Sequence, residues 1–129
     1  MRKKLISFTV LMIGLMVFGS SLIVKARQNT ITKKYDVYTI TCYINCTNNY
    51  GEGSTAGAGM DGTRNYIKVN TYDINQKFIG YAQNYSIADA KARVSKGNPY
   101  LTRTYHAVAN SEKVQLLPAY EQIQQAQGR

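Results

Sequence analysis

The sequence predicts an all-β chain, a small antiparallel β-sandwich or barrel, preceded by an apolar N-terminal segment. Three observations carry this expectation. Short stretches rich in Tyr, Val, Ile and Thr recur at intervals of roughly 10–15 residues. Several alternate apolar and polar residues with the period of two that a half-buried strand requires. Clusters of Gly, Asn, Asp and Ser punctuate them. The 129 residues leave room for one domain.

Residues 1–26 read as a secretory signal peptide rather than as part of that domain. Arg2, Lys3 and Lys4 form a basic start, Leu5 to Val24 is largely apolar, and Val24-Lys25-Ala26 places small or apolar residues where a signal peptidase reads. An apolar run of about 20 residues is also long enough to span a bilayer. The alternative is therefore an uncleaved anchor, with residues 5–24 holding the protein on the outer face of the cytoplasmic membrane.

Residues 27–34 are polar and basic and read as a flexible lead-in. A β domain is then expected over 35–117. Its first strand is YDVYTITCYINCT, residues 35–47, with Tyr38, Ile40, Cys42, Ile44 and Cys46 on one face. At about 3.3 Å per residue the two cysteines stand roughly 13 Å apart. A disulfide needs a Cα separation of about 4.4–6.8 Å, so Cys42 and Cys46 can bond only if the strand ends or bulges near Ile44. Two buried free thiols, a bond within C-x-x-x-C and a link between two chains all stay open.

Residues 48–63 hold five glycines and read as a loop. It carries three candidate recognition residues, Tyr50, Glu52 and Asp61, because exposed loops often carry function. Within it, GAGMDG matches G-x-G-x-x-G. That fingerprint works where glycines close a strand-to-helix turn and set pyrophosphate on the helix N-terminus. Here RNYIKVNTYD follows and alternates as a strand, so no cofactor is expected. In that strand Ile67, Val69 and Thr71 share one side, and Tyr66, Lys68, Asn70 and Tyr72 the other. A turn near 73–76 and KFIGYAQ complete a hairpin.

Residues 86–97 (SIADAKARVSKG) fit two templates. Ser86, Asp89 and Gly97 suit a short helix over 86–96, whereas Ala88, Ala90, Ala92 and Val94 alternate as a strand. The strand is preferred. YLTRTYHAVA, residues 100–109, forms another, and EKVQLL, 112–117, a shorter one that Pro118 ends. The polar, Gln-rich tail 118–129 reads as a helical turn over 118–126 or as irregular chain.

Removing the four basic residues of 1–26 leaves twelve Lys and Arg against seven acids, a net charge of +5. These charges are dispersed, which argues against a nucleic-acid binder. For an exported chain, anionic cell-wall or membrane-surface components are the expected partners. A small domain of this size buries a shallow core. All eleven tyrosines lie after residue 26, and there is no tryptophan.

No catalytic set stands out. His106 is the only histidine, and a thiol nucleophile of Cys42 or Cys46 would need it as base. TITC is similar to the T-x-T-C strand of sortases, but there the histidine precedes the cysteine and here it follows. The acids are scattered rather than paired. A metal site is not expected, since zinc wants three or four protein ligands.

The late Tyr-His strand TYHAVAN and the small-residue alternation over residues 35–110 resemble the lactococcin 972 class of bacteriocins and related small secreted proteins. That resemblance implies a small β-sandwich of Gram-positive type, exported by the general pathway, that acts at the cell envelope and interferes with wall synthesis. The chain departs from the class in lacking tryptophan, in holding two cysteines and in its longer mature part, so no functional residue is carried over. The expectation is an exported, non-catalytic β-sandwich protein that binds at the bacterial envelope. Its rivals are a membrane-anchored accessory surface protein and a thiol enzyme using His106. Oligomeric state, including a homo-oligomer, and any immunity partner stay open.

Overall fold

A computed structural model describes residues 29–35, 37–60 and 62–126. The expected signal peptide lies outside the described residues. Eight strands appear: β1 (Thr30–Tyr35), β2 (Tyr38–Cys46), β3 (Gly51–Ala56), β4 (Arg64–Tyr72), β5 (Phe78–Ser86), β6 (Ala90–Val94), β7 (Leu101–Ala109) and β8 (Tyr120–Gln125). They form two four-stranded antiparallel sheets in the orders β1-β2-β3-β6 and β5-β4-β7-β8. The expected sandwich is therefore the architecture, rather than a closed barrel. No helix among the described residues is long and apolar enough to cross a membrane.

Several expected elements are corrected. Residues 30–34 of the expected flexible lead-in belong to β1, which pairs along β2 from Thr30↔Tyr43 to Tyr35↔Tyr38. The long strand expected over 35–47 is divided instead: Tyr35 ends β1 and pairs with Tyr38, which begins β2. The Gly-rich loop gives up residues 51–56 to β3. Neither short helix forms. Residues 90–94 are β6, Ser86 ends β5, and the tail supplies β8, so the β domain runs on past residue 117. Residues 112–117 contribute a single bridge, Gln115↔Ala109, rather than a strand.

The turns follow one recipe twice. Asp73 Oδ1 accepts the N–H groups of Asn75 and Lys77 at 2.8 and 2.9 Å, and Gln76 sits at a left-handed φ of 66°. Asn110 Oδ1 accepts those of Glu112 and Val114, both at 2.9 Å, and Lys113 sits at 67°. In each, a short polar side chain takes over backbone donors that a tight reversal would leave unpaired.

The space between the sheets is small and mixed in polarity. Ile67, Val69, Ala90 and Val94 cluster at one side, and Ile40, Cys42, Ala58 and Val108 at the other. Buried along with them are Thr55, Thr71, Thr102, Thr104, His106, Gln122 and Gln124. Such groups are tolerated when hydrogen-bonded. Gln124 Oε1 accepts the Cys46 N–H at 2.9 Å, and Gln124 Nε2 donates to Asn29 Oδ1 at 2.9 Å.

Asn65 does the same at the crossing from the first sheet to the second. Its Oδ1 accepts the Ala58 N–H at 2.8 Å and its Nδ2 donates to Ala88 O at 2.7 Å. Asn65→Ala strands the buried Ala58 N–H and removes the donor to the Ala88 carbonyl, and is expected to cost about 2 kcal/mol. Urea denaturation monitored by tyrosine fluorescence reads this; an unchanged midpoint would mean water replaces the side chain freely.

Candidate functional site

The structure separates the residues singled out in sequence. Tyr50 and Glu52 come together on the outer face of the first sheet. There Glu52 Oε2 accepts from the Tyr43 hydroxyl at 3.0 Å, and Glu52 Oε1 accepts from Arg93 Nη2 at 2.7 Å and Nε at 3.1 Å. The Arg93 guanidinium lies 3.9 Å from the Tyr50 ring centroid. Burial, with Glu52 close by, pushes the Tyr43 hydroxyl up to about 12. An open depression of about 580 Å³ beside this cluster is lined by Tyr43, Glu52, Asp89, Lys91 and Arg93 among others. Both carboxylate oxygens of Glu52 are already engaged, so the cluster holds itself together. Asp61, the third candidate of that group, lies outside the described residues.

GAGMDG joins strand β3 to strand β4. Gly57 takes a left-handed φ of 105°, and Gly59 packs against the Ile87 carbonyl. Its glycines serve tight passage across the sandwich edge.

Cys42 and Cys46 are both buried on one face of β2. No disulfide joins them. Burial pushes Cys42 up to about 12, which leaves a neutral thiol packed like a small apolar residue. His106 is fully buried on β7. Its Nδ1 lies 2.8 Å from the Thr55 hydroxyl and its Nε2 lies 2.8 Å from that of Thr104. Burial lowers it to about 4. With both ring nitrogens held by threonines, the arrangement offers a thiol no base. Among the described residues, no group of three or more His, Cys, Asp or Glu is placed to hold a metal.

The outer face of the β5-β4-β7-β8 sheet is different in kind. The strand alternation that buries Ile67, Val69 and Thr71 turns Tyr66, Lys68, Asn70 and Tyr72 outward. Their cross-strand partners on β5 are Tyr85, Gln83, Tyr81 and Phe78. The same alternation on β7 sets Tyr105 beside Lys68 and Arg103 beside Asn70. Rings and cations thus share one surface.

The contacts are specific. Tyr66 and Tyr85 pack with centroids 4.7 Å apart, and Tyr72 meets Phe78 edge-on at 5.9 Å. Lys68 Nζ lies 5.5 Å over Tyr81, Lys113 Nζ 5.5 Å over Tyr85, and Arg103 Cζ 6.0 Å from Tyr72. Such pairings hold a cation near a ring without neutralising it. Glu121 is engaged by Arg103 at 2.7 Å. The Tyr66 hydroxyl donates to Gln83 Oε1 at 3.0 Å.

Burial, helped by Tyr85, raises the Tyr66 hydroxyl, and burial, helped by Glu121 and Tyr72, pushes that of Tyr105 up to about 12. These phenols stay neutral at physiological pH and can donate and accept hydrogen bonds. Asn70 Oδ1, in the middle of this face, is buried without a hydrogen-bond partner among the described residues. From Tyr66 to Tyr72 the row runs about 20 Å.

Sequence reading found the β4 part of this face and missed the rest. Tyr81, Tyr85, Phe78, Arg103 and Lys113 were readable only by adding the alternation of the neighbouring strands in register, which requires knowing that β5 and β7 flank β4. No known protein family, curated protein or solved structure matches this chain.

Proposed function

We propose that this protein is exported and non-catalytic, and that it binds anionic, sugar-bearing polymers of the bacterial envelope on the outer face of the β5-β4-β7-β8 sheet, in the manner of a bacteriocin-like effector. The observation that carries this reading is the row of rings interleaved with Lys68, Arg103 and Lys113. The basic start, apolar run and Val-x-Ala site of residues 1–26 support export.

The chemistry fits that class of ligand. A sugar ring presents C–H groups on one face and hydroxyls around its edge. Tyrosine meets both, with an apolar ring and a polar tip, and loses little rotamer freedom on binding. Lys68 and Lys113 supply charge for the phosphates or carboxylates of the polymer. The electrostatic share of this binding weakens as salt rises.

Cosedimentation with isolated cell walls, intact or stripped of their anionic polymers, tests the proposal. Tyr66→Ala combined with Lys68→Ala is expected to weaken binding to intact walls by about tenfold or more, by loss of a stacking contact and a charge. Lys34→Ala, on the other sheet, is expected to leave it unchanged. Equal binding by both variants, or equal binding to stripped walls, would sink the reading.

A further inference from the structure

A sandwich of two open sheets has four edge strands, and edges invite pairing with other chains. Here they are unequally guarded. β1 carries Lys33 and Lys34, β6 has Lys91 and Arg93 within five residues, and β8 has Glu121. β5 runs nine residues, FIGYAQNYS, with no charge and no proline.

The backbone of β5 shows which of its groups are free. Val108 O accepts the Leu116 N–H, so Val108 directs its backbone away from β4, whereas Tyr72 O accepts the Tyr100 N–H on the β7 side. Antiparallel ladders alternate strictly in direction. Residues 66, 68 and 70 of β4 therefore bond β7, and residues 65, 67, 69 and 71 bond β5. Their partners Ser86, Asn84, Ala82 and Gly80 point inward to the ladder.

The N–H and C=O groups of Tyr81, Gln83 and Tyr85 then point to the open edge. Asn84 Oδ1 takes the Tyr85 N–H at 2.9 Å, while Asn84 Nδ2 reaches Lys91 O at 3.2 Å. That closes one end. The other end is marked by the register shift between Thr71 and Tyr72, which leaves Ile79 as the extra residue of β5. Between them Tyr81 and Gln83 have no backbone partner among the described residues. Tyr81 is 59% and nearby Phe78 53% exposed.

We propose that β5 pairs antiparallel with β5 of a second copy of this chain, about a two-fold axis passing at Tyr81. The free stretch lies between Ile79 and Gln83, and Tyr81 is its midpoint. A two-fold interface sets each residue against its mirror position, so Tyr81 meets Tyr81 and Gln83 meets Ile79 of the other copy. The absence of charge on β5 lets the two edges approach. The result is one continuous eight-stranded sheet in which the tyrosine face of one copy runs into that of the next. The inference stands on the edge alone and does not depend on what that face binds.

Sedimentation of the purified protein across micromolar to millimolar concentration is expected to show a reversible dimer. Gln83→Pro removes an edge N–H that the β4 ladder does not use. Since the two-fold axis doubles each lost bond, it is expected to weaken association by about tenfold or more. Mild oxidation of Tyr81→Cys is expected to give a disulfide-linked dimer, because residues facing each other in a hydrogen-bonded pair have Cα atoms about 5.5 Å apart, within disulfide reach. Gln83→Cys, facing Ile79, is expected not to cross-link. A monomer at every concentration, a dimer indifferent to Gln83→Pro in a variant that keeps its β circular dichroism, or cross-linking at 83 rather than 81 would each overturn the proposal.

Discussion

Gly51→Ala is expected to destabilise the fold by about 3 kcal/mol or more, and Gly53→Ala by about 2 kcal/mol, as overpacking of a close-packed interior does. A Cβ on Gly51 would run into the Thr102 hydroxyl and lie 2.6 Å from Thr71 Cγ2. On Gly53 it would lie 2.7 Å from Thr104 Cγ2, 3.0 Å from Tyr43 O and 3.2 Å from Ile67 Cδ1. These neighbours have little room to give. Threonine is stiff at χ1, Thr104 is tied to His106, and the Tyr43 carbonyl belongs to the backbone of β2. The strain must pass into the spacing of the two sheets.

Gly80→Ala is the control. Its Cβ would meet nothing closer than Val94 Cγ1 at 3.5 Å, and its φ is not left-handed. It is expected to be neutral or slightly stabilising, through the reduced freedom of the unfolded chain. Urea midpoints of the three variants check the ranking. A Gly51→Ala protein as stable as the parent would mean that β3 and β7 do not approach as closely as the structure has them.

The same glycines explain why β3 was illegible. Residues 51–56 show strict alternation, but its inward members are Gly51, Gly53 and Thr55, which a hydrophobicity pattern scores as polar or empty. Only the facing Thr71, Thr102 and Thr104 reveal that the space must be empty. β8 hid for a related reason. Gln122 and Gln124 read as solvent-loving, yet both are buried, and the side-chain carbonyl of Gln124 takes the backbone N–H of Cys46 at the end of β2. Strands whose inward residues are apolar were plain in the sequence: the Ile40 to Cys46 and Ile67 to Thr71 runs both lie as their alternation demands. The candidate face was half legible for the same reason, since the outward set on β4 is the complement of its buried one. Tyr50 and Glu52 read as loop residues, yet Tyr50 flanks β3 and Glu52 lies within it, because the tight turn at 47–50 is closed by the Thr47 hydroxyl rather than by glycine.

Stability is expected to fall by about 3 kcal/mol as pH drops from about 6.5 to about 4, and His106 is the cause. The folded protein holds its imidazole at about 4 against an ordinary 6.5, chiefly by burial, with the Gln122 side chain and the Ser54 backbone opposing the shift. Between those two values the unfolded chain binds a proton that the folded chain refuses. The contribution is therefore fully present above about 6.5, is lost as pH falls through the window, and levels off below about 4. Tyr120, whose ring centroid lies 6.5 Å from that of His106, is raised by burial and does not titrate there.

His106→Gln keeps polar partners for the Thr55 and Thr104 hydroxyls and is expected to flatten the pH dependence of the urea midpoint across this window. His106→Ala leaves both hydroxyls unpaired and opens a cavity, and is expected to cost about 3 kcal/mol even at neutral pH. An NMR titration of the imidazole decides the matter directly: a midpoint near 6.5 in the folded protein would show that water or a partner reaches the ring, and the sandwich could not then be closed around Thr55, Thr104 and His106. A ring that stays neutral to about pH 4 would instead identify this buried trio, contributed by β3 of one sheet and β7 of the other, as the polar pin that keeps the two sheets in register where glycine and threonine leave little apolar surface to do so.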